Sequence, residues 1–196
     1  YPDSPYEFSV LSADILGQVY ERFLGKVIRL TTGHQAKVEE KPEVRKAGGV
    51  FYTPDFITKA IVRRTIGPLL DGKTPRQVAK LRFCDMACGS GSFLIEAFQF
   101  LLDWHRDSYV VGGPEKYSKV LYRTGNDWRL TTDEKKRILL NNIFGVDIDV
   151  QAVEVTKLSL LLKVLEGESQ ESITKQFELF HQRALPDLGS NIKCGN

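Results

Sequence analysis

The sequence predicts an α/β fold in which a parallel sheet is covered by helices. Two short runs rich in apolar residues, 81–85 and 143–147, each end in an aspartate. Helical patterns follow each of them, and a third short run begins at residue 192. Strand, helix, strand, helix, strand in alternation is the order that a parallel sheet with helical crossovers requires.

Leu16, Val19, Tyr20, Phe23, Leu24 and Val27 share the three-then-four spacing of a buried helical stripe, with Asp14, Gln18, Glu21, Arg22 and Lys26 facing elsewhere. Residues 31–49 lose that pattern in a crowd of lysines, glutamates and arginine, and are expected to be an exposed, mobile connection. Thr53 is suited to cap the next helix, Pro54 to its first turn and Asp55 to its positive end. Pro68 is expected to stop that helix.

The run 81–85 reads as a buried strand and 92–106 as a helix, with Glu96, Gln99, Asp103 and Arg106 on one polar edge. Residues 108–129 read as loop, with Gly112-Gly113-Pro114 and Gly125-Asn126 as turn signals. Thr131 and Glu134 have capping-box spacing at the start of the next helix. Residues 143–147 form the second strand, 150–165 a mostly buried helix capped by Asp149, 172–181 a weak helix and 192–194 the third strand. No internal repeat is visible.

Hydrophobic residues make up 42% of the 196, enough for a real core, and no apolar run approaches the roughly 18 residues of a membrane span. A formal charge of +2 is small for a dedicated nucleic-acid module, so contact with duplex DNA would be shared with other segments. Three cysteines, an odd number, do not make a disulfide framework, and Cys84 and Cys88 have no neighbouring histidine to complete a zinc site. Reduced thiols point to the cytoplasm. The start at Tyr1-Pro2-Asp3, without methionine, suggests an excised fragment.

The chemistry centres on Phe83-Cys84-Asp85-Met86-Ala87-Cys88-Gly89-Ser90-Gly91-Ser92-Phe93. In an open parallel sheet ligands sit beyond the carboxyl ends of the strands, and this turn would lie there. Gly89 and Gly91 let the backbone approach a ligand and take positive φ. No G-K-[ST] follows, and Leu94 stands where a dinucleotide fingerprint has its third glycine. Asp85, just before the turn, would repel a pyrophosphate and favour a cation; S-adenosylmethionine carries an ammonium and a sulfonium. A plain strand-to-helix turn is the alternative. Asp147, at the tip of the second strand, is placed to accept hydrogen bonds from ribose hydroxyls, or alternatively to cap a helix. Ile148 beside it could pack on an adenine. His34, His105 and His181 are scattered and read as solvated or structural. Lys135-Lys136-Arg137 reads as a solvated face rather than a phosphate clamp, and Arg63-Arg64 is ambiguous.

Four segments in order resemble the adenine-specific DNA methyltransferases of restriction–modification systems, particularly type I modification subunits and single-chain type IIG enzymes. Leu16-Gly17-Gln18-Val19-Tyr20-Glu21-Arg22-Phe23-Leu24 resembles their N-terminal helix, and Tyr52-Thr53-Pro54 their "YTP" segment. Asp85-Met86-Ala87-Cys88-Gly89-Ser90-Gly91 resembles their "DPACGSG" loop, with Met86 where proline is usual. Gly145-Val146-Asp147-Ile148-Asp149, followed by Ala152-Val153-Glu154 and Lys157-Leu158-Ser159-Leu160, resembles their second motif, and Gly195-Asn196 falls where a third strand ends in Asp or Asn.

The resemblance implies a Rossmann-like class I methyltransferase sheet, truncated, behind an N-terminal helix and charged linker at 1–47. Residues 48–196 would be the cofactor-binding part, incomplete at the C-terminus. It implies that Tyr52, Thr53 and Pro54 close over the methionine end of S-adenosylmethionine. Asp85, Ala87, Cys88, Gly89, Ser90, Gly91 and Phe93 would surround its ammonium and carboxylate, Asp147 would bind the ribose, Ile148 the adenine face and Asn196 the adenine edge. Duplex DNA would be the substrate of the parent protein, with specificity and restriction domains or subunits as partners, and neither a metal nor a membrane is implied. The family's catalytic Asn/Asp-Pro-Pro-aromatic motif is absent, because no two of the eight prolines are adjacent, and the 196 residues alone are expected to be inactive. Another methyltransferase on the same scaffold, acting on RNA or protein glutamine, and a non-catalytic scaffold without cofactor are the alternatives.

Overall fold

The computed structural model describes residues 19–20, 26–40, 53–167 and 185–195. In chain order the first elements are strands β1 (Lys26–Leu30) and β2 (Ala36–Glu40), helices α1 (Asp55–Leu70) and α2 (Pro75–Val78), strand β3 (Phe83–Asp85) and helix α3 (Ser92–Val111). A 3-10 turn at Pro114–Tyr117 leads to strands β4 (Leu121–Thr124) and β5 (Asp127–Leu130). Helix α4 (Thr132–Asn142), strand β6 (Ile143–Asp147), helix α5 (Val150–Leu165) and strand β7 (Ile192–Cys194) complete the described chain.

The fold is mixed α/β around a three-stranded sheet ordered β3–β6–β7, parallel at both junctions. Ile143 and Gly145 of β6 and Ile192 of β7 are buried. Helices α3 and α5 pack against the sheet and each other, while α1 lies on α3. Phe98 and Leu101 of α3, Ile138 and Leu139 of α4, Ile143, and Leu160 and Val164 of α5 form the fully buried centre.

Helix α1 buries Thr58, Val62, Ile66 and Leu70, a run at intervals of four that gives one continuous stripe. It begins one residue later than expected. Pro54, not Thr53, is the cap, with no side-chain hydrogen bond, and its carbonyl accepts from the amides of Ile57 and Thr58. Nor does Pro68 stop it: burial of Leu70 holds the final turn in place, and Pro68 is carried inside the helix.

Helix α3 outruns its expected end at Arg106 because His105 and Tyr109 extend the buried stripe of Leu94, Phe98 and Leu101. The expected loop 108–129 contains instead the antiparallel hairpin β4–β5, closed by Gly125 (φ 61°) and Asn126, with Leu121 paired to Leu130 and both buried. A two-residue bend with positive φ suits the twist of such a hairpin. At the start of α4, the Thr131 hydroxyl accepts from the Glu134 amide, but the Glu134 side chain does not return to close the box. It binds Tyr109 Oη at 2.6 Å and Arg137 instead. The reciprocal box occurs at Thr74 and Gln77, opening α2.

Near the N-terminus, Val19 and Tyr20 are helical. Val27 is not; it lies in β1, which pairs antiparallel with β2, so the expected helix stripe does not reach it and residues 36–40 are strand rather than connection. Leu16, Phe23, Leu24 and the expected weak helix at 172–181 lie outside the described residues. The expected strand 81–85 starts at Phe83, whereas β6, α5 and β7 have the expected limits.

Candidate functional site

Strands β3 and β6 run side by side in the same direction, so their carboxyl ends place Asp85 and Asp147 on one edge of the sheet. The chain then turns from β3 into α3 through Gly89 (φ 54°) and Gly91 (φ 85°). A side chain at either position would be strained, since left-handed backbone costs most residues roughly 1–2 kcal/mol. At Gly91 a Cβ would also come within 2.7 Å of Thr156 Cγ2.

Long-range hydrogen bonds lock this turn. Asp147 Oδ2 accepts the Gly89 amide at 2.8 Å, and Thr156 Oγ1 donates to the Gly89 carbonyl at 2.8 Å. The Cys88 amide donates to the Val146 carbonyl at 3.0 Å, and the Gly91 amide to Cys88 at 2.8 Å. Asp85 Oδ1 accepts from the Ala87 amide at 3.0 Å, a local bond that bends the chain as it leaves the strand. Gly145 permits the approach of β6 to α3: a Cβ there would meet Leu94 Cδ1 at 2.7 Å and Cys88 Sγ at 3.1 Å.

The corner after β6 is equally tied. Asp147 Oδ1 accepts the Asp149 amide at 2.9 Å, and Asp149 Oδ1 caps α5 by accepting from Gln151 at 2.8 Å. Asp149 Oδ2 takes the Tyr20 hydroxyl at 3.2 Å. On the far side, the Gly195 amide donates to the Asp147 carbonyl at 2.9 Å, bringing the end of β7 to the same place.

The site is electronegative. The buried Cys88 thiol is pushed up to about 11 by burial, then by the charges of Asp147 and Asp85. The Tyr20 hydroxyl is raised above its ordinary value by burial, Asp149 and Asp147. Such an environment favours a cationic ligand over a phosphate. Ile148 is 76% exposed between the two carboxylates of its corner, and Met86 projects beside the turn.

The structure thus gathers Asp85, Ala87, Cys88, Gly89, Gly91 and Asp147 at the carboxyl ends of β3 and β6, with Ile148 beside them. Ser90 is buried in the turn, and Phe93 is half-buried in the first turn of α3. Thr53, half-buried, and Pro54, exposed, stand at the entry to α1. Tyr52 and Asn196 lie outside the described residues. Sequence reasoning missed Thr156 and the contact of Tyr20 with Asp149. Its spacing places Tyr20 in a buried stripe, and no local signal pairs it with a residue 129 positions away.

Among the described residues, two clefts lie away from this turn. One of about 280 Å³ sits between α3, β5 and the end of α5, and its charges are engaged: Arg106 with Asp103, Lys163 with Glu166, and Arg129 with the Gly167 carbonyl. The other, about 440 Å³, is lined by Lys59, Arg63, Glu96 and Phe100. A second buried polar cluster joins Tyr109, Glu134 and Arg137, with His105 beside it. Neither ring nitrogen of His105 has a partner among the described residues, and burial, then the Arg137 charge, lowers it to about 4.

The family model for N-6 DNA Methylase matches residues 11–179. A type II restriction enzyme and methyltransferase of Escherichia coli, RM.Eco57I, is 38% identical over the whole chain, which covers 19% of that protein. A putative type II restriction enzyme and methyltransferase of Methanocaldococcus jannaschii is 30% identical over 95% of the chain and 16% of its own length. The methylase subunit of the type I restriction enzyme MjaIX from the same organism is 29% identical over 79% of the chain. The chain therefore spans about a fifth or less of the curated relatives it matches. The matched length, the identity and the carboxylate-flanked glycine turn agree: the chain belongs to the N-6 DNA methylase family.

Proposed function

We propose that this chain is the S-adenosylmethionine-binding part of a site-specific DNA adenine-N6 methyltransferase of a restriction–modification system. The observation that carries the reading is the pair of carboxylates at the tips of adjacent parallel strands, Asp85 and Asp147, flanking a turn with two positive-φ glycines. In this reading the sheet is the start of a Rossmann-like class I methyltransferase domain spanning 48–196, preceded by an accessory segment, 1–47.

The residues present suit that cofactor. Asp85 and the Ala87, Cys88, Gly89, Ser90 and Gly91 turn, with Phe93 beyond it, offer a carboxylate and close backbone to an ammonium and its neighbouring carboxylate. Each oxygen of Asp147 accepts one backbone amide, and a carboxylate has about four acceptor sites in all, which leaves capacity for ribose hydroxyls. Exposed Ile148 supplies an apolar surface for adenine. Tyr52, Thr53 and Pro54 would cover the methionine end, and Asn196 would meet the adenine edge. When bound, the cofactor supplies an electrophilic methyl group; this chain's residues hold and orient it.

The substrate in this reading is duplex DNA reached through the parent protein, working in the cytoplasm with specificity and restriction domains or subunits. No helix among the described residues is long and apolar enough to cross a membrane. With no two prolines adjacent anywhere in the sequence, the groups that would polarise the adenine amine are not in these residues, and the chain alone is expected to transfer no methyl to DNA. Labelled methyl incorporation above background would overturn that part. For the binding reading, titration calorimetry with S-adenosylhomocysteine is the test: Asp147→Ala should weaken binding at least tenfold, about 1.4 kcal/mol. Unchanged affinity in a folded variant defeats the assignment.

A further inference from the structure

We propose that Tyr20 is a positioning residue for the cofactor site, fixing through Asp149 the corner that carries Asp147 and Ile148. The inference rests on the cofactor reading above and adds to it a residue from the segment that precedes the sheet.

Three hydrogen bonds run in series, and a fourth anchors the middle of the series. The Tyr20 hydroxyl donates to Asp149 Oδ2 at 3.2 Å across a sequence separation of 129. Asp149 is held in place by capping Gln151 at 2.8 Å, and its own amide donates to Asp147 Oδ1 at 2.9 Å. Asp147 Oδ2 then accepts the Gly89 amide at 2.8 Å. Tyr20 is thus linked to the glycine turn through two intermediaries, Asp149 and Asp147, each tied to the next.

The arrangement solves an electrostatic problem. Asp147 and Asp149 are two residues apart on one tight corner, and like charges so placed repel. Backbone amides satisfy both oxygens of Asp147 but only one oxygen of Asp149. The Tyr20 hydroxyl supplies a donor to the remaining one, and a hydrogen bond to a charged acceptor is stronger than one to a neutral group. Burial and the two carboxylates raise the hydroxyl above its ordinary value, so it stays a neutral donor throughout the physiological range. Without it the free oxygen of Asp149 turns to water and the corner loosens. Ile148, exposed between the two aspartates, then loses its fixed direction.

The test is a double-mutant cycle in the intact protein, with Tyr20→Phe, which keeps the ring, and Asp149→Ser, which keeps a helix cap. S-adenosylhomocysteine affinity is read by calorimetry and ligand-free stability by thermal melting. Each single variant should bind about fivefold more weakly, and the double variant no more weakly than either single one. Losses that multiply, or full affinity in Tyr20→Phe, overturn the inference. If Tyr20→Phe melts early, Asp149→Ser alone decides, and unchanged affinity there overturns it. Failure of the wild-type protein to bind S-adenosylhomocysteine would instead strike the cofactor reading itself.

Discussion

The glycine turn at 86–91 and the β1–β2 hairpin are both short bends of the backbone, yet they are held by opposite means. The turn is fastened by side chains 58 and 67 positions further along, Asp147 and Thr156. The hairpin is fastened by its own ladder, helped by exposed ion pairs of Glu39 with Arg29 and Lys37. One face of the hairpin carries Ile28, Leu30 and Val38 at 76%, 70% and 58% exposure. A lone two-stranded hairpin is marginal in water, and exposed ion pairs contribute about 0–1 kcal/mol each. The contrast shows where the sequence is constrained. At Gly91 a single added carbon collides with a neighbouring helix; on the hairpin, Ile28, Leu30 and Val38 are exposed among the described residues and leave room for a whole side chain to change.

The largest expected effect breaks the turn. Gly91→Ala forces a Cβ into Thr156 at a φ of 85° and should destabilise the protein by about 3 kcal/mol, combining strain and overpacking. Urea unfolding measures it, and a loss under about 1 kcal/mol would mean the turn relaxes more freely than described. His105 tests an intermediate case, a buried side chain away from the turn. Its folded value of about 4 lies below the ordinary 6.5, so the unfolded chain binds the extra proton first. Stability should be full above pH 6.5 and decline by about 3 kcal/mol as the pH falls toward 4. His105→Leu should flatten that slope in pH-dependent melting; an unaltered slope assigns the proton uptake elsewhere. The smallest effect is expected on the hairpin, where Ile28→Thr should change stability by no more than about 0.5 kcal/mol. A larger loss by the same urea assay would show that this face is covered in solution.

The same contrast explains what could be read from the chain in advance. Strand β6, helix α5 and strand β7 were legible to the residue, because a short apolar run, an Asp149 cap and an apolar helical stripe are local signals. The glycines of the turn were legible for the same reason. The hairpin β4–β5 was not: its strands are four residues each, and Gly125-Asn126 signals a turn without saying that strands flank it. The end of α1 differs from the local signal because burial of Leu70 outweighs the penalty of Pro68. Within the site, residue types were legible and their bonds were not. Nothing in the spacing says that Asp147 grips Gly89, or that Tyr20 reaches Asp149, since both contacts exist only after the sheet has formed.

The reach of the Gly89 contacts also has a consequence for the order of folding. The turn lies between a strand and a helix that are adjacent in sequence, but two of the bonds that shape it come from residues beyond 146. On a growing chain those partners do not yet exist when residues 85–91 emerge, and closing so long a loop is slow compared with forming a helix. The bend around Gly89 and Gly91 can take its final form only once α5 has been made and has docked, which makes this corner a late event in assembly even though α3 beside it can form early.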